Sequence, residues 1–146
     1  MSIDIEQVEQ MEPQEFATWV GSLSDAEIRE ISGAERARLI AFIFSAIPDS
    51  FQPERAAGGS ARIDFTITGG EEPERYAVVV EDGQCRTEQD PSEPGAASLT
   101  LALPEFLRLI VGTASPVTMV MFGKVKVSGE LSQVLAFQRW FDMPRA

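Results

Sequence analysis

Lys124 and Lys126 are the chain's two lysines, and they stand two residues apart in the stretch MFGKVKVSGE, Met121 to Glu130. Two ammonium groups on one face can hold phosphate-bearing head groups. On a short strand they can equally keep a sheet edge from pairing with another chain. The edge role is preferred here, with the head-group role as the alternative. A third polar residue stands out by position. Gln138 falls inside the apolar stripe that a helical wheel draws through LSQVLAFQRWF. A buried amide needs partners, so Gln138 either satisfies backbone or holds a ligand head group.

The other chemistry-bearing residues close classes of function rather than open them. There is no histidine, which removes the commonest general base at neutral pH and the commonest metal ligand. The one cysteine, Cys85, has Glu81, Asp82 and Glu88 near it in sequence. Negative neighbours raise a thiol pKa, so it reads as a small strand residue without a redox role. A zinc site would rest mostly on carboxylates, which is unusual. Neither a dinucleotide nor a P-loop glycine pattern occurs, and there is no GxSxG elbow. The expectation is therefore no catalytic residue, no metal and no cofactor.

The elements that must position these residues fit one domain of 146 residues with a net charge of −11. The charge is uneven. Residues 1–33 carry eight acids and one base, whereas residues 98–146 carry three acids and five bases. Such a chain should not grip nucleic acid. An anionic membrane could meet only the C-terminal third. With no apolar run of spanning length, one cysteine and no visible leader, the chain reads as cytoplasmic. Arginine outnumbers lysine ten to two, a bias that suggests a GC-rich bacterial genome.

The first third reads as helices. Phe16, Trp19 and Val20 have i, i+3, i+4 spacing behind Pro13, and Ser24 to Glu27 form a capping box before Ile28 and Ile31. Gly33 is expected to stop that short helix. Arg36 to Ile47 is apolar around well over half its circumference, so it must be buried on more than one side, and Pro48 is expected to end it. The period then changes to two. Ile63, Phe65 and Ile67 share one face, as do Tyr76, Val78 and Val80 before an Asp82-Gly83 turn into QCRTEQ. Leu99, Leu101 and Leu103 form another inward row, and Pro104 opens a helix that Gly112 closes. A strand from Lys124 to Ser128 and a last helix, Leu131 to Phe141, complete the order. The fold class is α+β: a mixed five-stranded sheet covered by helices on one face, the other face solvated.

This arrangement resembles the sterol carrier protein type-two family of lipid-binding domains. The resemblance runs from LIAFIFSAIPDSFQPERA through ARIDFTITG, YAVVVEDGQC, SLTLALPEFLRLIVGTASP and FGKVKVSGE to LAFQRWF. It divides the chain into an N-terminal helical extension, residues 1–33, and a sterol-carrier-like domain, residues 34–146. It implies a non-enzymatic protein whose sheet and helices enclose an apolar tunnel for a sterol, an acyl chain or an isoprenoid-like lipid. By this resemblance the tunnel would draw on Phe65, Leu103, Phe106, Leu109, Ile110, Met119, Met121, Phe122, Leu135, Phe137 and Phe141, with Gln138 toward a head group. The alternative for each is simple core filling. The expected partner is a lipid or other long apolar molecule, with transient membrane contact. Residues 1–33 could serve as a lid or could dock a protein. A second reading of the whole chain is an accessory subunit of a lipid-modifying or quinone-biosynthetic assembly.

Overall fold

The structure, a computed structural model, describes residues 3–113 and 116–142, without the side chains of Pro116 and Gln138. Four helices come first: α1 (Ile5–Glu9), α2 (Pro13–Gly21), α3 (Asp25–Arg29) and α4 (Gly33–Ala46). Their starts are chemically specified. The Asp4 carboxylate accepts the Gln7 amide at 3.2 Å, and the Ser24 hydroxyl accepts the Glu27 amide at 3.1 Å. The Glu27 carboxylate accepts the Ser24 amide in return at 3.0 Å. Each bond satisfies an amide that a helix start leaves without a partner. The α3 helix stops at Arg29, and Gly33 opens α4 with φ +62° instead of ending the helix before it. Pro48 marks the end of α4 as expected, the α-helix stopping at Ala46. It sits in the first turn of a 3-10 segment, Ile47–Ser50, where its missing amide costs nothing. A short α5 (Pro53–Ala56) leads to the sheet.

Strands β1 (Ala61–Thr68), β2 (Glu74–Glu81) and β3 (Gln84–Gln89) form an antiparallel meander. Asp82 and Gly83, at φ 54° and 73°, supply the two left-handed residues of the tight β2–β3 turn. Strand β4 (Ala97–Ala102) pairs in parallel with β1, and β5 (Val125–Gly129) pairs antiparallel with β4. The strand order is β3-β2-β1-β4-β5, so β5 is an edge. Leu103, read as the end of a strand, instead begins α6 (Leu103–Ile110), still fully buried. The stretch SPVTMVMF supplies α7 (Pro116–Met121), and α8 (Leu131–Trp140) closes the order.

The alternation in β1 is complete: Ala61, Ile63, Phe65 and Ile67 are buried, their neighbours half-buried. The inward rows run straight across the register, as in Phe65 opposite Tyr76 and Leu99. Helices α4, α6 and α8 pack on this face. The other face is more than a solvated surface. Val79 lies between Arg62 and Arg86 in register, and both Ala77 and Val79 are buried there. Arg62 bonds Glu88 at 2.7 Å, and Arg86 bonds Glu81 at 2.6 Å and Glu88 at 3.3 Å. These long side chains cover the strand with their stems; the Arg86 charge stays at the surface, whereas Arg62 is largely covered and its Nε is buried.

Helices α1 to α3 contribute Val8, Ala17, Val20 and Ile28, and the link after α3 contributes Ile31, to the same hydrophobic cluster as the sheet. Arg108 of α6 ties them down, donating to the carbonyls of Val20 at 2.9 Å and Leu23 at 2.6 Å. On the other side, the α8 exit is stitched to the 3-10 segment. Gln52 donates its amide to Trp140 at 2.8 Å, and Asp142 donates to Ser50 at 2.8 Å.

Candidate functional site

The centre of the molecule is a run of aromatic rings. Phe44 of α4 stacks on Tyr76 at 4.2 Å and on Phe106 at 5.2 Å, and meets Phe65 edge-on at 5.5 Å. Phe65 meets Phe137 at 5.6 Å, Phe137 meets Phe141 at 4.8 Å, and Phe141 meets Phe51 at 5.4 Å. Sequence periodicity put Phe65, Tyr76, Phe137 and Phe141 on inward positions of their elements. The register of β1 then places Phe65 where α4, α6 and α8 can all reach it.

Most of the expected tunnel residues come together in this layer. Phe65, Leu103, Phe106, Leu109, Ile110, Met119, Phe137 and Phe141 are all buried in one cluster. Leu135 is half-buried and does not belong to that cluster. Met121 and Phe122 are not brought there. They are 78% and 73% exposed, because α7 is short and turns Met119 inward, leaving the residues that follow on its outer side. The side chain of Gln138 lies outside the described residues. A different glutamine of α8 serves backbone: the Gln133 amide oxygen accepts the Arg62 amide at 2.9 Å.

A cleft of about 440 Å³ opens beside the aromatic layer. Its walls are Met11, Pro13 and Phe16 from the N-terminal helices, Phe42, Ile43 and Ile47 from α4 and its continuation, and Ile110 from α6. Glu9, Asp49 and Asp142 stand at its rim. A second hollow of about 390 Å³ lies between Pro104, Arg108, Met119, Phe122 and Lys124. A third, about 610 Å³ and mostly polar, lies around the Gly69-Gly70 turn and Arg36.

Arg36 escaped the sequence reading. It is buried, donates through Nε and Nη2 to Glu74 at 2.8 and 3.1 Å, and also reaches the Thr68 carbonyl at 2.9 Å. Paired with Glu74 and bonded to the Thr68 carbonyl in this way, it fixes the β1–β2 turn rather than offering a free charge. Gly70 lies beneath it, and a Cβ there would come within 2.9 Å of Nε and force the Arg36 side chain to shift.

The shifted acidities all move away from neutral. Burial pushes the Cys85 thiol up to about 11. The cause is desolvation and not the nearby carboxylates, whose effect the sequence suggested. Burial also raises Tyr76, with Asp90 and Glu74 adding to it. Glu88 is lowered by its hydrogen bond to Arg62. Among the described residues no group of three or more His, Cys, Asp or Glu is placed to hold a metal ion, and no helix is long and apolar enough to cross a membrane.

No curated protein sequence matches this chain significantly. Solved structures do. Sterol carrier protein 2 from Yarrowia lipolytica, in its apo form, aligns with a TM-score of 0.57 at 19% identity, covering 69% of this chain and 91% of that one. The ubiquinone synthesis protein UbiJ-SCP2 gives a TM-score of 0.57 at 12% identity, covering 70% of this chain and 91% of that one. The stereoselective inverting sec-alkylsulfatase Pisa1 from Pseudomonas sp. gives 0.65 at 16% identity, covering 94% of this chain but 23% of the enzyme. This chain thus spans under a quarter of that enzyme's length. The same alignment leaves too little of the chain unmatched to omit helices α1 to α3. At these identities the likeness is one of fold. The model of the SCP-2 sterol transfer family matches residues 43–142, well over half the sequence, and the chain belongs to that family.

Proposed function

We propose that this protein binds a long apolar lipid non-covalently between the inner face of its sheet and the covering helices, and carries or presents it unchanged. The observation that carries the reading is the sterol transfer family match over residues 43–142. The aromatic layer supports it, because Phe65, Phe106, Phe137 and Phe141 form a continuous apolar path across the molecule. The cleft adds support as a place of entry, since Ile43, Ile47 and Ile110 belong both to its wall and to the core. Each methylene taken from water supplies about 0.8 kcal/mol. Affinity should therefore come from chain length, with no charged contact and no cofactor required. Acidities displaced away from neutral suit a binder better than an acid–base catalyst.

A fluorescent acyl probe tests the reading. It should bind saturably, be displaced by long-chain but not short-chain lipids, and raise the melting temperature as its concentration rises. Phe137→Ala should alter chain-length preference while costing less than the roughly 3–5 kcal/mol of a fully packed phenylalanine, because the void joins the ligand space. A full-size stability loss, with no lipid bound by parent or variant, would make this layer a solid core and end the carrier reading.

A second reading has one specific observation behind it, the likeness to UbiJ-SCP2 over 70% of this chain. Here the protein is an accessory subunit of a lipid-modifying or quinone-making assembly, with residues 1–33 docking the partner. Native mass measurement separates the two. A lipid-sized increment supports the carrier, and a protein-sized one the subunit.

A further inference from the structure

Every exposed large apolar side chain among the described residues falls between positions 117 and 131: Val117, Val120, Met121, Phe122 and Leu131. Both lysines fall in the same span. The backbone explains how they are presented. Gly123 takes φ +70°, its amide donates to Val120 at 3.1 Å, and the Lys124 amide donates to Met119 at 2.9 Å. This left-handed closure stops α7 with Met121 and Phe122 at its tip. It then delivers Lys124 just before the edge strand β5 and Lys126 within it, both exposed. Among the described residues neither lysine joins an ion pair.

We infer that this tip docks on an anionic lipid surface, with Met121 and Phe122 entering the acyl boundary and Lys124 and Lys126 meeting head-group phosphates. The inference takes its purpose, loading and unloading, from the carrier reading, but not its evidence. Two features favour a membrane over a protein. A projecting pair of apolar side chains needs no matching pocket in a fluid surface, and cations beside it add attraction to anionic lipid. Against a net charge of −11, residues 98–146 carry five bases to three acids, so this part of the chain is the least repelled by such a surface, although Asp25 and Glu105 share a hollow with Lys124.

The test is co-sedimentation of the full chain with phosphatidylcholine vesicles, with and without phosphatidylglycerol. Retention should need phosphatidylglycerol and fall as salt is raised. Met121→Ser with Phe122→Ser, and separately Lys124→Gln with Lys126→Gln, should each lower retention on the order of tenfold. Melting temperatures should stay at the parent's value, since all four side chains are exposed. Acyl-probe binding without vesicles should survive the lysine substitutions. Loss of probe binding in the parent with vesicle retention intact would remove the carrier reading and leave the docking surface standing. Retention that ignores head-group charge and both double variants would overturn the inference. So would a dimer that Phe122→Ser disperses, because the patch would then belong to a second copy.

Discussion

Glu88 sits between two guanidinium groups, and its carboxyl is held below the usual carboxylate range. The hydrogen bond to Arg62 is the chief cause, and Arg86 adds to it. A lowered folded-state pKa gives stability that is present above the unfolded value and lost as pH falls through the folded one. Glu88→Gln should therefore cost about 0.5–1 kcal/mol near neutral pH, at the modest level of partly exposed pairs. The difference from the parent should vanish in acid, which urea unfolding at several pH values would show. An equal loss at every pH would assign the effect to packing over Val79. At this scale the sequence was only partly legible. The thiol of Cys85 moves in the expected direction, but through burial, because Cys85 stands opposite Val80 on the inward row. Arg36 gave no signal. A charge near the start of an apolar helix reads as solvated, and its partner Glu74 is 38 residues away.

Elements with strong periodicity or capping chemistry were legible: the Ser24–Glu27 box, the alternation of β1 and the Asp82-Gly83 turn. Helix α7 was not, because Val117, Thr118 and Val120 suit a strand as well as a helix and only long-range packing of Met119 decides. The stripe of α8 was right at Val134 and Phe137 and wrong at Leu131, which is exposed at the first turn, where α8 enters from the sheet edge. Helices α1 to α3 pose the sharpest question. They precede the family match, yet Val8, Val20 and Ile28 are buried in the common core. Removing residues 1–33 should leave one cooperative unfolding transition at a lower temperature, with new binding of an apolar dye where α4 and α6 are uncovered. Arg108→Ala in the full chain should reproduce part of the loss, about 1–3 kcal/mol, by orphaning the Val20 and Leu23 carbonyls. Loss of any cooperative transition in the truncated protein would make the extension inseparable from the domain.

The whole molecule has one seam that local sequence could not reveal. The β1–β2–β3 meander folds back on near neighbours, but β1 must also pair in parallel with β4, as in Ile63 opposite Ala97. Parallel pairing requires a long excursion of chain before the two strands can meet. Time is the dimension in which this matters. Contacts of short separation close early, and the entropy of closing the long loop falls on the central pair. The β2–β3 turn should belong to the rate-limiting nucleus, and the β1–β4 seam should zip afterwards. Gly83→Ala, forced to hold a left-handed φ of 73°, should then slow refolding. Leu101→Ala, opposite Ile67 in the seam, should chiefly speed unfolding. Stopped-flow chevrons of the two variants decide the order, and the reverse pattern would place the seam first. If the order holds, the half of the sheet that carries β4 and the edge strand β5 is the last to be secured and the first to let go.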